Sequence, residues 1–307
     1  MLKNTLRFFM AVWLCGVSGH AALALDTRTS SLNQGTVGMI ASHAELLDDA
    51  VNIANAVDHT DGLRVLPILG RGGLQSINDL LFLRGVDVAM LSADSLAFAK
   101  KNNLYADETG KISYLAKIGA ENIIIVAQPE FTTLASLKGK RVAVGTADSD
   151  EFVAAQLILD SADLSFNRVA LRGDAAIAAL VDKRVDAAIF HIGADTVNLA
   201  GIRADSGLHI IPVPLNEKLG ETYSPAIVTD KELPGLVPAG SVIETVSSAL
   251  VLAVFDWPKR SERFYKLEKF NKALFKNYFA NVKAENATNV LASVPGWKRY
   301  PTTTASQ

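Results

Sequence analysis

Hydrophobic positions along this chain switch repeatedly between two spacings. "GTVGMIA" (35–41) is a short apolar run of the kind that forms a buried strand. In "HAELLDDAVNIANAV" (43–57) the apolar Leu46, Leu47, Ala50, Val51, Ala54 and Val57 recur every three or four positions. That spacing predicts an amphipathic helix, with Ser42 placed to cap it. The alternation continues: a strand at 63–69, a Gly-rich turn "GRGG" (70–73), a helix at 74–85, and a strand at 86–94. After "ENIIIVAQ" (121–128), a further strand, and a short helix at 133–140, the pattern restarts. Strands at 141–145, 167–173 and 185–190 alternate with helices at 150–162 and 174–184, and "LHIIPVPL" (208–215) closes the block. Strands separated by helices of this length imply parallel pairing with right-handed crossovers.

One unit is written twice. "VDVAMLSAD" (86–94) returns 99 positions on as "VDAAIFHIGAD" (185–195), and "DSLAFA" (94–99) pairs with "DTVNLA" (195–200). Each copy ends a strand and opens a helix, with Asp-Ser (94–95) and Asp-Thr (195–196) as caps. Ligands of open α/β sheets bind outside the carboxyl ends of the strands, where free N–H groups of helix N-termini gather. The repeat therefore predicts two similar lobes facing one cleft. The rest of the chain differs: strands at 223–229 and 245–255 precede a helix at about 261–283. That helix carries Phe264, Leu267, Phe270, Leu274, Phe275 and Tyr278 on one face and is expected to complete the first lobe.

The start of the chain changes this picture. Lys3 and Arg7, the apolar run "FFMAVWLCGV" (8–17) and "ALA" (22–24) read as a signal peptide cleaved near Ala24, hence a periplasmic protein. Cys15, the single cysteine, lies in that segment, so the mature chain has no thiol chemistry. Cleavage removes two of 30 Lys+Arg and none of 32 Asp+Glu, and the charges are dispersed. No basic stripe exists to hold nucleic acid. The remaining length predicts two domains. Their expected bounds are 25–129 with 216–300 for lobe 1 and 130–215 for lobe 2, with 301–307 a disordered tail.

Catalytic motifs are absent. There is no phosphate loop, "GRGGLQS" (70–76) has Gln75 where a dinucleotide fingerprint needs its third glycine, and no G-x-S-x-G elbow appears. His43, His59, His191 and His209 are not spaced as metal ligands on one helix face. No metal or cofactor is called for.

The two-lobed pattern, the Gly turn, "VDVAMLSAD" and "LASLKGKRVAVGTADSD" (134–150) together resemble the TAXI-family solute receptors of tripartite TRAP transporters. These are type II periplasmic binding proteins, and ABC-importer and NMT1-like binding proteins are near relatives. The resemblance implies an α/β fold of two lobes, each a mainly parallel sheet flanked by helices, with the ligand cleft between them. It implies a non-enzyme that hands a small polar solute, such as an amino acid or a carboxylate, to membrane transporter subunits. Arg71, Ser92, Asp94, Thr146, Ser149, His191 and Tyr223 are the expected ligand-binding residues, with the segments near 127–131 and 215–224 as hinge. Where the family reads Gly-Ser-Gly-Thr after "VAVG", this chain has Asp148, Ser149, Asp150 and Glu151, and these acids disfavour an anion. An ABC-importer receptor, a ligand-free sensor or scaffold, and an enzyme seeded by His191 with Asp195 are the alternatives.

Overall fold

The structure is a computed structural model that describes residues 35–58, 60–193, 199, 201–281 and 290–301. The segment expected to be a signal peptide, His59, Asp195 and Thr196, the last residues of the final predicted helix and the tail beyond Pro301 lie outside the described residues.

Strands β1 (Thr36–Ala41), β2 (Arg64–Leu69) and β3 (Val88–Ser92) pair in parallel, as do β5 (Arg141–Ala143), β6 (Asn167–Val169) and β7 (Ala187–Ile192). These two flanks form the two lobes. They are joined by two long strands, β4 (Ile112–Ala127) and β10 (Val242–Phe255), which pair antiparallel with each other and with the flanks. The full order is β2-β1-β3-β10-β4-β7-β5-β6, with β8 (His209–Ile211) added to β4 and β9 (Ser224–Thr229) to β10. Both long strands change partners midway. β10 pairs with β9 over 242–247 and with β3 over 250–254, while β4 takes β7 as partner only from Asn122 onward. Register irregularities between Leu250 and Ala253 mark that crossing.

Alternation along the strands builds three layers. In β3, Val88 and Met90 face one core and Ala89 and Leu91 another. The Val88 side packs on α1 (Leu47–Val57) and on α7 (Glu262–Ala273), whose Leu267 and Phe270 are fully buried there. The Leu91 side continues across both lobes, taking in α2 (Gly73–Phe82), α3 (Ala93–Lys101) and α4 (Asp150–Ala162). In the second lobe, Ile124, Val126 and Ala188 face α5 (Gly173–Val181). The short α6 (Glu217–Gly220) lies beside α4.

Two departures from the sequence expectation have clear causes. β4 begins nine residues before the predicted strand, because "ISYLAKIGA" alternates too weakly to read as one continuous strand. Ser42 does not cap the first helix, which starts with a 3₁₀ turn after an uncapped His43; its hydroxyl points instead toward Asp150, 3.5 Å away.

Candidate functional site

The carboxyl ends of β1 and β3, the N-termini of α2, α3 and α4, and the partner-changing stretch of β4 and β10 converge on one buried polar cluster. Glu121, midway along β4, faces a histidine on each side. His43 Nε2 lies 3.2 Å from Glu121 Oε1 and His191 Nδ1 lies 3.4 Å from Glu121 Oε2. His43 Nδ1 meets Glu45 at 2.9 Å on the outer side. His191 Nε2 is 3.7 Å from Asp94 Oδ2, which also accepts a 2.9 Å hydrogen bond from the Tyr223 hydroxyl. The Asp94 N–H donates to Ser248 Oγ on β10. A further carboxylate, Asp150, crosses from α4 to the first lobe. Its Oδ1 accepts 3.1 Å bonds from both the Gly73 N–H and Ser95 Oγ.

Burial and mutual charge set the protonation states. For His43 burial alone lowers the pKa, but hydrogen bonds to Glu121 and Glu45 outweigh it and raise the ring to about 11. His191, likewise opposed by burial, is raised to about 10 by Glu121 and Asp94. Burial pushes Glu121 up, yet its two imidazole partners bring it down to about 2. Burial dominates at Asp94, which rises to about 6, and it raises Asp150 too. Tyr223 is driven well above its ordinary value by burial and by Asp94. The carboxylates beside both imidazoles therefore favour their protonated form. The arrangement is built to hold charge and to donate and accept hydrogen bonds. Among the described residues no group of three or more His, Cys, Asp or Glu could hold a metal ion. No helix among them is long and apolar enough to cross a membrane.

A family model, the NMT1-like family, matches residues 50–298. The chain belongs to the NMT1-like family. Solved structures agree with this family chain at the level of the fold. A Xanthomonas citri protein bound to ATP superposes with a TM-score of 0.50 at 11% identity, covering 83% of this chain and 89% of that one. MatC from Rhodopseudomonas palustris with bound malate gives 0.48 at 14% identity, covering 83% and 87%. A TctC solute binding protein from Polaromonas gives 0.46 at 15%, covering 85% and 91%.

Of the residues expected from the sequence, this NMT1-like chain gathers Asp94, His191 and Tyr223 into the cluster. Ser92 and Ser149 stand at its edge, as the residues just before α3 and α4. Ser149 is committed to capping α4, accepting from the Phe152 N–H. Arg71 and Thr146 lie outside the cluster: both are exposed, and the Thr146 hydroxyl is bonded to Asp148. His43, Glu121, Asp150 and Ser95 were not singled out as ligand-binding residues. Glu121 carried a signal, since a charge opening the apolar run "NIIIVA" has to be paired or functional. His43 carried none, because the Glu121 carboxylate that draws it into the cluster lies on a strand far away in sequence. A separate surface cavity of about 310 Å³ opens between α3, α4 and α6, lined by Lys100, Lys101, Lys218 and Tyr223 among others. The Tyr223 ring is thus a wall between that cavity and Asp94.

Proposed function

We propose that the protein is a periplasmic solute receptor of TAXI type, which captures a small polar solute between its lobes and delivers it to a TRAP-type membrane transporter. One observation carries this reading: the buried cluster draws Asp94, Tyr223, Glu121, Asp150 and His191 from both lobes and from the strands that link them. Groups so placed are brought together only when the lobes close, which is what a hinged receptor needs. Within the cluster both imidazoles are paired with carboxylates, which supports a reading of binding rather than turnover. Lobe 1 is taken as 25–129 with 216–300 and lobe 2 as 130–215, the first 24 residues being an export signal.

For the pivot of this motion, expected near 127–131 and 215–224, the crossing of β4 and β10 is the better candidate than the first of these segments. Gln128 is buried and tied to Leu180 and Asp186 of the second lobe, so that connection moves with it. The register irregularities beside Leu250 and Ala253 supply the local give.

The test is a thermal-shift and calorimetric screen of the purified protein against amino acids, dicarboxylates, polyamines and sugars, repeated on His191→Ala. A receptor gains melting temperature with one solute class by mass action, and the variant binds that solute more weakly. Turnover of the solute, lost in the variant while binding persists, would show an enzyme instead.

A further inference from the structure

The cleft distributes its donors and acceptors unequally. The donors that lobe 1 offers at one corner are the Gly73 N–H at the start of α2 and Ser95 Oγ in the first turn of α3, and both already serve Asp150 Oδ1. Ser42 Oγ adds a longer contact to Asp150 Oδ2. Such a set would hold a solute carboxylate, but the protein's own carboxylate fills it. The corner is also tightly closed. A Cβ built on Gly73 would lie 2.6 Å from Asp150 Oδ1, and one built on Gly72 would lie 1.9 Å from the Asp148 carbonyl oxygen. An anionic solute arriving here meets occupied donors and a like charge.

Unused acceptors remain a few residues away. Among the described residues, Asp94 Oδ1 and Ser92 Oγ make no hydrogen bond and both residues are fully buried; His43 Nε2 and His191 Nε2 make none either, but each already faces a carboxylate of the protein, Glu121 and Asp94. Leaving a buried acceptor open is unfavourable, so Asp94 Oδ1 and Ser92 Oγ call for a donor. The charges point the same way. The two imidazoliums are matched by Glu45 and Glu121, and Arg172 acts on Glu45. The cation nearest Asp94 is the shared His191 ring, 3.7 Å away and engaged with Glu121 on its other nitrogen. Among the described residues Asp94 and Asp150 have no cation of their own.

We propose that the cleft takes a small organic cation carrying a primary ammonium and no carboxylate, held by Asp94 Oδ1 and Ser92 Oγ, and that Asp150 excludes anions by occupying the lobe-1 donors itself. This rests on the receptor reading above and names the solute class of that same site.

The experiment compares agmatine, putrescine, arginine, glutamate, malate and glucose by thermal shift and calorimetry on the purified protein. Agmatine or putrescine raises the melting temperature, whereas arginine, which is agmatine with a carboxylate, binds at least tenfold more weakly, and glutamate and malate give no shift. Asp94→Asn keeps an oxygen for Tyr223 but lowers cation affinity about tenfold; if it fails to fold, Ser92→Ala is read in its place and weakens cation binding several-fold. Asp150→Ala frees the Gly73 and Ser95 donors and gains glutamate or malate binding that the parent lacks. Binding of glutamate, malate, arginine or glucose by the parent without binding of the amines overturns the cation assignment and leaves the receptor standing. No shift with any of the six overturns both and favours a solute-free scaffold.

Discussion

The two copies of the repeated strand agree at their beginnings and part company at their ends. Asp87 and Asp186 occupy the same position, and each does the same local job. The Asp87 N–H donates to the Gly38 carbonyl while its carboxylate accepts from the Gly38 N–H; Asp186 makes the same pair of bonds with Arg141. Each aspartate thus pins its strand to the parallel neighbour, which explains why the sequence repeats it. At the far end the first copy presents Ser92 and Asp94, fully buried, and the second presents His191. The shared end ties each strand to its neighbour, and the divergent end enters the buried polar cluster. Repetition marks the scaffold, and departure from it marks the cluster.

Even the shared aspartates sit in different surroundings, and the largest effect follows from that. Asp87 is buried against Lys266, with Nζ 2.7 Å away, whereas Asp186 pairs with the half-exposed guanidinium of Arg141. Asp87→Ala leaves a mostly buried ammonium and an unsatisfied Gly38 N–H, and the expected loss is about 3–5 kcal/mol. Asp186→Ala leaves groups that water reaches, for a loss of about 1 kcal/mol or less. Urea unfolding of the two variants measures the difference. Equal losses would mean that burial does not separate the two copies.

Glu121 sharpens the comparison at the other end, since it stands between the lobes and serves a histidine beside each. The histidines' pKa values, raised above the ordinary 6.5, contribute stability that is complete below about 6.5 and is lost as pH climbs through about 10 and 11. Glu121, lowered from 4.5 to about 2, contributes stability present above its ordinary value and lost as pH falls through about 2. Asp94 works in the opposite sense: raised to about 6, it costs stability progressively as pH rises from about 4 past 6. Glu121→Gln removes the charge both rings share, so both should lose their protons at markedly lower pH. The melting temperature should then begin to fall on the alkaline side earlier than in the parent. NMR titration of the imidazole resonances reads this directly; two rings still protonated at pH 9 in the variant would show that Glu45, Asp94 and Asp150 suffice.

The fold was readable because its signal is local. Apolar runs and helical stripes placed every strand of the two parallel flanks, and the repeat announced two lobes. What the pattern hid is the part that depends on contacts between distant segments. The first half of β4 carries Lys117 and Gly119 among its apolar residues, and these break the run that would have revealed one continuous strand through both lobes. Asp94, His191 and Tyr223 were legible as residues beside strand ends, and the structure brings the three together in the buried cluster. Asp150 read as an ordinary first-turn acid, favoured by the helix dipole. It is at position one of α4, yet its carboxylate leaves its own helix for the donors of the opposite lobe. No spacing rule carries that, since the Gly73 partner is 77 residues away.

A smaller effect tests how tightly the lobes meet. Gly72 belongs to the first lobe and abuts the Asp148 backbone of the second, where an added Cβ collides with carbonyl oxygen rather than with a yielding side chain. Gly72→Ala should hold the lobes partly open and weaken the Asp150 bonds without unfolding either lobe. Small-angle scattering would show a larger radius of gyration in the variant with unchanged circular dichroism. An unaltered radius would place the closing contact elsewhere on the interface.

The smallest expected effect lies on the outer rim of the same interface. Lys101 on α3 and Asp160 on α4 form a 2.9 Å ion pair, both about half exposed, beside the edge-to-face contact of Phe98 and Phe152. Water and salt screen such a pair, so Lys101→Ala should cost only about 0.2–1 kcal/mol, and high salt should erase the difference. Closure would then rest on the buried cluster and the aromatic contact, with the rim adding little. A double-mutant cycle with Asp160→Ala measures the pair itself. A coupling well above 1 kcal/mol would shift the weight of closure from the buried carboxylate to the surface, and Asp150 would lose its place as the contact that joins the lobes.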